Sequence, residues 1–242
     1  MAIWTSKNYK EYIKNAVIML SLLAIGIVLS IYVVENPQDS LVSRLVTYNK
    51  IYALLLQHIY IVGISSALAI LTAVPLGVFL TRTKFKKFAP IVVNIVNVGQ
   101  TIPSIAVVAL FVGILGVGAK TAIIALWIYS LLPILNNTLI GIGEVDRSII
   151  EAANGMGMKA RHVLTKVEIP LAMPMIIAGI RTSVTINIGS AILAAFVGGG
   201  GLGNFIITGN NISRWQVLVL GATLPVLMAL FADFAFGIIE KK

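Results

Sequence analysis

The chain of 242 residues is poor in charged residues and contains no cysteine. Only 11% of the residues are charged, whereas soluble domains have roughly 25%, so a water-exposed surface of ordinary composition is excluded. The absence of cysteine excludes disulfides, thiolate nucleophiles and cysteine-based metal sites. The only two histidines, His58 and His162, lie far apart in the sequence, which argues against a histidine-rich metal site.

Motifs that bind phosphate or carry out catalysis are also missing. No stretch matches G-x-x-x-x-G-K-[ST], so the chain has no ATP-binding loop of that type. Gly198, Gly200 and Gly203 match G-x-G-x-x-G, but no predicted strand precedes them, and a dinucleotide site needs that context. Nothing resembles a nucleophile paired with a base. The sequence therefore predicts neither an enzyme nor a cofactor or metal bound by this chain.

What the chain does have is long apolar stretches, with 58% hydrophobic residues and a mean hydropathy of +0.98. A helix needs about 20 apolar residues to cross a bilayer, and backbone in lipid must satisfy its own hydrogen bonds. These facts predict an all-α, polytopic transmembrane bundle of about six spans. The predicted spans are residues 15–34, 51–81, 88–115, 121–140, 171–197 and 216–239, the third of them kinked or broken near Pro103, with residues 198–215 as a loop.

The basic residues are divided unequally between the two sides of the predicted bundle. Thirteen of them lie on the side of the two termini: Lys7, Lys10, Lys14, Arg82, Lys84, Lys86, Lys87, Arg147, Lys159, Arg161, Lys166, Lys241 and Lys242. Four lie on the other side: Arg44, Lys50, Lys120 and Arg214. Because basic loops stay in the cytoplasm, we expect a multi-pass cell-membrane protein with both termini cytoplasmic. Membrane orientation also explains the net charge of +9 without nucleic-acid binding.

Polar residues follow one predicted face of the third span. Asn94, Asn97, Thr101 and Ser104 recur at steps of three, four and three, and Gln100 lies beside them. In lipid such a face should point at protein or at a water-filled cavity. It predicts either a lining of a translocation pathway or hydrogen bonds between helices.

The fifth and sixth spans carry fewer polar groups. Asn187 forms a shorter stripe with Ser183 and Ser190 and is a further candidate for the pathway, with Gly179 and Gly189 expected to permit close packing. Arg181 and Asp233 are the charges within these predicted spans. They are expected to reach the nearby membrane surface or to pair with each other, and a proton or ion pathway is the alternative.

The predicted loop at residues 143–170 is unusually polar and carries glycines. Asp146 can cap a short helix that follows it, Gly155 and Gly157 favour a sharp reversal, and residues 159–167 suit a second short helix that Pro170 ends. Two tethered helices of this kind predict either a rigid element that docks on a cytoplasmic partner or an amphipathic hairpin on the membrane surface.

This loop also carries a resemblance to a known family. The stretch Glu151-Ala152-Ala153, then Gly157, then Val167-Glu168-Ile169-Pro170 resembles the EAA motif of ABC-importer permease subunits, although the motif usually ends in Leu-Pro rather than Ile169-Pro170. The resemblance extends over residues 51–221, through QTIPSIAVVALF, LLPILNNTLIGI, EAANGMGM, AGIRTSV and VGGGGLG. Together these stretches are most similar to uptake permeases for osmoprotectants such as glycine betaine, choline and carnitine.

The resemblance implies a type I ABC importer-like fold and a set of partners. A second permease subunit, the same chain or a related one, would complete the pathway within the lipid membrane, and two cytoplasmic ATPase subunits would bind ATP and Mg. An extracytoplasmic binding protein would deliver the substrate, and a quaternary amine there calls for an aromatic cage. Residues 1–50 would be an N-terminal anchor span and connecting loop, and residues 51–242 the permease core. The ATPase-coupling residues implied are Glu151, Ala152, Ala153, Gly157, Ile169 and Pro170.

Other functions stay open at this point. A permease for another small solute, such as an amino acid or an organosulfur compound, has the same sequence features. An ion-coupled secondary transporter or channel and a membrane scaffold that transports nothing are alternatives from other classes.

Overall fold

The structure, a computed structural model, describes residues 6–240, and every regular element in that part of the chain is helical. The α-helices are α1 (Ser6–Glu35), α2 (Ser40–Leu45), α3 (Tyr48–Leu80), α4 (Ala89–Thr101), α5 (Ser104–Leu115), α6 (Ala119–Gly143), α7 (Arg147–Gly155), α8 (Ala160–Val163), α9 (Ile169–Ser190), α10 (Gly203–Asn211) and α11 (Trp215–Glu240). Short 3-10 segments span Lys86–Phe88 and Ala191–Val197, and a π-helical segment spans Leu164–Glu168. The prediction of an all-α fold is confirmed.

Within residues 6–240, five helical stretches are long and apolar enough to cross a membrane, at Lys14–Glu35, Tyr48–Leu80, Ala119–Gly143, Ala160–Val197 and Trp215–Glu240. Lys86–Thr101 and Ser104–Leu115 form a sixth such stretch together, but they are bent by 96°. The expected number of about six spans is therefore confirmed, and the third is a broken span.

The break in the third span lies at Ile102 and Pro103. Ile102 is extended, with φ −75° and ψ 132°, because a following proline disfavours helical backbone in the residue before it. Asn94, Asn97 and Thr101 lie on α4, whereas Ser104 begins α5. The expected single helical face from Asn94 to Ser104 is therefore wrong, since helical periodicity does not continue across a 96° bend.

Polar contacts define the two ends of the bundle. At one end, the carboxylate of Asp39, between α1 and α2, accepts a hydrogen bond from Arg214 at the start of α11. At the other end, Arg82 after α3 pairs with Glu168 before α9. The connections between spans one and two and between spans five and six thus meet at one end. The connections between spans two and three and between spans four and five meet at the other end, as six successive spans require. We call the end with Arg82 and the loop at 143–170 the terminal end, because α11 finishes there.

Helix α6 lies at the centre and packs closely on α3 and α9. A Cβ on Gly179 of α9 would lie 2.6 Å from the Cβ of Asn137 and 2.8 Å from the carbonyl oxygen of Pro133, so only glycine permits this approach of the helix backbones. No heavy atom lies within 4 Å of the equivalent position at Gly189. Close packing is therefore found at Gly179, and the same expectation for Gly189 is wrong.

The segment predicted as a loop at residues 198–215 contains the additional helix α10. Leu202 and Phe205 are buried there together with Val217 and Leu220 of α11. The loop prediction is wrong for residues 203–211, because burial of these apolar side chains against α11 stabilises a helix that its many glycine and asparagine residues do not favour.

Candidate functional site

The segment with the EAA-like stretch begins at a capped helix. The carboxylate of Asp146 accepts a hydrogen bond from the backbone N–H of Ser148 at 2.8 Å, and α7 then runs from Arg147 to Gly155. This bond stabilises the ionised carboxylate and lowers the pKa of Asp146 below its usual value. The first of the two predicted short helices, and its cap, are confirmed.

The turn after α7 depends on Gly157. Its φ is +78°, in the left-handed region that residues with a Cβ rarely adopt, and its N–H donates to the carbonyl oxygen of Asn154 at 2.9 Å. No heavy atom lies within 4 Å of the position a Cβ would take, so the backbone conformation rather than space requires glycine. Gly155 is the last residue of α7 and has no positive φ, so of the two expected glycines only Gly157 makes the reversal.

The three residues of the EAA stretch differ in exposure. Glu151 and Ala152 are exposed, whereas Ala153 is 3% exposed and packs against its own chain. Ile149 and Met156, at the two ends of the same helix, are 43% and 76% exposed. Ile149, Ala152 and Met156 are exposed on one side of the helix and Glu151 is exposed on the other. The sequence had not singled out Ile149 and Met156.

The second short helix is not separate from the fifth span. Helix α8 continues through the π-helical segment Leu164–Glu168 directly into α9, and the N–H of Ile169 donates to the carbonyl oxygen of Leu164, five residues back. The prediction that Pro170 ends this helix is wrong, because a proline is accommodated in a first helical turn and the wider π turn precedes it. Ile169 is half-buried and Pro170 is exposed.

An ion pair ties this segment to α3. Arg82 Nη1 donates to Glu168 Oε1 at 3.1 Å, and Arg82 Nη2 contacts Glu168 Oε2. The two residues are 86 positions apart, so no local pattern shows their contact. The position of Glu168 between the apolar residues Val167 and Ile169 was the one available signal, because a buried carboxylate needs a partner.

The polar residues of α4 lie on its surface. Asn94, Asn97 and Thr101 are exposed, and Gln100 is half-buried and donates to the carbonyl oxygen of Tyr129 on α6 at 2.7 Å. Ser104, in the first turn of α5, is half-buried. The structure thus places three of the candidate pathway residues on one accessible part of α4 and uses Gln100 to hold that helix on α6.

Asn187 is in a different environment. Its side chain is 1% exposed, and its Nδ2 donates to the hydroxyls of Ser65 and Ser66 on α3, both at 2.8 Å. Ser183, one turn earlier, donates to the carbonyl oxygen of Ser130 on α6 at 2.8 Å. This geometry favours hydrogen bonding between helices as the role of Ser183 and Asn187, rather than the expected pathway lining.

At the end opposite the EAA-like segment, α3 holds the glycine-rich segment of residues 198–202. Gly201 N–H donates to Gln57 Oε1 at 3.1 Å, and Leu202 N–H donates to His58 Nδ1 at 3.4 Å. The other ring nitrogen, Nε2, lies 3.0 Å from the carbonyl oxygen of Ile188. An N–H can only donate and a carbonyl only accept, so the fully buried His58 is neutral with its proton on Nε2.

Arg181 and Asp233, the two charges that the sequence predicts within the fifth and sixth spans, form an ion pair. Arg181 Nε and Nη2 donate to Asp233 at 2.6 and 2.8 Å, and Nη1 donates to Glu240 at 2.9 Å. The expected pair of Arg181 and Asp233 is confirmed and joins α9 to α11. No cluster of three or more histidine, cysteine or acidic residues that could hold a metal occurs within residues 6–240.

Comparison with known proteins agrees with this arrangement. The glycine betaine/carnitine/choline transport system permease protein OpuCB of Bacillus subtilis (strain 168) is 46% identical over 186 residues, which cover 77% of this chain and 85% of the relative. The choline transport system permease protein OpuBB of the same organism matches equally well, at 46% over 186 residues and with the same two shares. The carnitine transport permease protein OpuCB of Listeria monocytogenes is 46% identical over 187 residues, covering 77% of this chain and 84% of the relative.

A solved structure supports the fold. Inward-facing MetNI, a methionine ABC transporter, has a chain with a TM-score of 0.72 and 21% identity, and the match covers 79% of this chain and 94% of that one. The family described as binding-protein-dependent transport system inner membrane component matches residues 73–242. The chain therefore belongs to this family of ABC-importer permease subunits, multi-pass membrane proteins that are not themselves enzymes.

Proposed function

We propose that this permease imports a quaternary-amine osmoprotectant of the glycine betaine, choline and carnitine class. The observation that carries the proposal is the 46% identity to permeases named for these solutes, over 77% of the chain. At that level of identity, the pathway and the contacts with partner subunits are expected to be similar in chemistry. The substrate is held first by an extracytoplasmic binding protein, in an aromatic cage suited to a quaternary ammonium.

The terminal end of the bundle faces the cytoplasm in this proposal. The support is the excess of basic residues there, thirteen against four. Arg82, Arg147 and Lys159 belong to that end, and Arg44 and Arg214 to the opposite one. The segment of α7, its turn and α8 then lies where cytoplasmic ATPase subunits can reach it.

The segment from residue 143 to 170 acts as the coupling segment. Its support is the exposure of Glu151, Ala152, Ile149 and Met156 on a short helix whose end is fixed by the Gly157 turn. Ala153 packs the helix onto the chain, and Ile169 and Pro170 begin α9, the helix that receives its motion. ATP and Mg bind to the ATPase, and closure of the ATPases displaces this segment.

The accessible part of α4 lines the translocation pathway. Asn94, Asn97 and Thr101 are exposed polar groups in a membrane span, and such groups face protein or water rather than lipid. A second permease subunit, the same or a related chain, covers this surface and completes the pathway. Ser104 lies at the break of the third span, beside this surface.

Residues 51–242 form the permease core, and residues 1–50 form an additional anchor. Only 6% of the residues in the apolar part of the first span, within Lys14–Glu35, are buried. Gly26 of α1 lies close to Leu224 and Leu227 of α11. Helix α1 therefore adds one lipid-facing span at the edge of the bundle, away from the polar surface of α4.

Reconstitution tests the function directly. The chain is placed in liposomes with its ATPase and binding protein, and uptake of labelled glycine betaine, choline and carnitine is measured with and without ATP, with methionine as the control solute. We expect ATP-dependent uptake of at least one quaternary amine. Uptake that persists without the ATPase and disappears when an ionophore collapses the ion gradient would instead indicate a secondary transporter. ATP-dependent uptake of methionine but of no quaternary amine would indicate a permease for another small solute, and a chain that carries no solute at all would be a scaffold.

A further inference from the structure

We propose that the ion pair of Arg82 and Glu168 transmits the movement of the coupling segment into α3, so that both are positioning residues for transport. This inference rests on the proposed coupling role of residues 143–170. The covalent path from that segment leads into α6 on one side and into α9 on the other. The ion pair adds a third path, into α3, which is not joined to the coupling segment through the chain.

The pair has the geometry of a firm link. The two terminal guanidinium nitrogens of Arg82, Nη1 and Nη2, face the two carboxylate oxygens of Glu168, and this paired arrangement fixes direction as well as distance. The side chain of Glu168 is 9% exposed and that of Arg82 is 33% exposed. Because loss of one partner leaves a largely buried charge uncompensated, the two groups stay together when either helix moves.

Arg82 is also fixed to the end of α3. Its Nε and Nη2 donate to the hydroxyl of Thr81 at 3.2 and 2.9 Å. That hydroxyl donates in turn to the carbonyl oxygen of Val78 at 2.7 Å. The guanidinium is therefore held against its own helix, and a displacement of Glu168 moves α3 rather than a freely rotating side chain.

Glu168 occupies the matching position in the coupling segment. It is the last residue of the π-helical segment that joins α8 to α9. A π turn is a wider turn within a helix that often occurs at functional sites. The ion pair thus joins α3 to the one point where the helix from α8 to α9 departs from regular α-helical bonding.

The first half of α3 contacts a second segment of the bundle. Gln57 and His58 of α3 bind the backbone of Gly201 and Leu202 at the opposite end of the bundle. The stretch from Gln57 to Arg82, most of it in α3 with Pro75 inside the helix, therefore connects the glycine-rich segment to the coupling segment. A packed helix of this kind can carry energetic coupling between two sites.

The test measures solute imported per ATP hydrolysed in the reconstituted complex. Arg82→Gln and Glu168→Gln are compared with the charge exchange that combines Arg82→Glu with Glu168→Arg. We expect each single variant to assemble with the ATPase and hydrolyse ATP, while solute imported per ATP falls at least about fivefold, the lower end of ordinary coupling. The charge exchange should restore part of the loss, which a purely structural defect would not predict.

The ion pair of Asp39 and Arg214 is the control, because it lies at the opposite end of the bundle, with side chains that are each 31% exposed. Asp39→Asn and Arg214→Gln should leave solute imported per ATP unchanged. A parallel fall of uptake and ATP hydrolysis in the Arg82 and Glu168 variants, or an equal effect in the control pair, would overturn this inference alone. Wild-type uptake that needs no ATPase would instead overturn the proposed function.

Discussion

Replacement of Gly157 by valine tests whether the turn after α7 is needed for ATPase docking. Gly157 is exposed and no neighbouring heavy atom lies within 4 Å of a Cβ at this position, so lack of space is not what the substitution tests. Its cost comes from the φ of +78°, which a residue with a Cβ adopts at about 1–2 kcal/mol. If docking requires the observed turn, this cost should weaken the affinity for the ATPase by roughly 5–30-fold.

Binding of purified ATPase to the variant in liposomes measures the effect, with ATP hydrolysis and uptake measured in parallel. Gly155→Val is the matched control, because Gly155 is equally free of neighbours but has no positive φ. Gly157→Asn should recover most of the affinity, since asparagine tolerates left-handed backbone. The reasoning is refuted if Gly157→Val binds and transports like the wild type, or if Gly155→Val loses as much affinity.

Four further outcomes are expected. Asn97→Phe should reduce uptake at least about tenfold while ATPase binding stays intact. Ile95 is 68% exposed on the same helix, and Ile95→Phe should not reduce uptake. Equal effects of the two variants in a transport assay would show that α4 does not line the pathway. Asn187→Ala should lower the free energy of unfolding in detergent by about 0.6–1.7 kcal/mol, and an unchanged unfolding midpoint would contradict its role between helices. Gly179→Val should destabilise by about 1–3 kcal/mol through overpacking, seen as a lower melting temperature; a melting temperature like that of the wild type would show that α6 and α9 can separate. The pKa of Asp146 is lowered in the folded chain, so its helix cap should be complete above the ordinary pKa of 3.8 and be lost as the pH falls through the lowered pKa. Hydrogen exchange of α7 should therefore become faster at low pH in the wild type, and Asp146→Asn should show no such acceleration.

The number of spans could be predicted from hydropathy alone, because a membrane helix has a minimum length and few charges. The break at Pro103 also followed from local chemistry, as did the cap at Asp146 and the turn at Gly157. Pro170 shows the limit of that approach. Proline ends a helix only when the preceding turn cannot adapt, and the π turn at Leu164–Glu168 is not visible in the sequence.

The candidate site, too, could be predicted only in part from the sequence. Spacing placed Asn97 and Asn187 in equivalent stripes, yet one is exposed and the other is hydrogen-bonded inside the bundle. Helical periodicity tells which residues share a face but not what the face meets. The contacts of Arg82 with Glu168 and of His58 with Leu202 join residues 86 and 144 positions apart, so they depend on how the spans pack.

The chain has only two histidines, and their placement makes them a pair of natural spectroscopic reporters. His58 is buried against the segment of residues 198–202, with its proton on Nε2, and His162 is exposed on the coupling segment. Labelling the ring nitrogens of histidine alone with nitrogen-15 would therefore give one pair of signals from each end of the bundle. Opening of the 198–202 segment would remove the hydrogen bond to Nδ1 of His58, so its shift would follow that end while His162 followed docking of the ATPase.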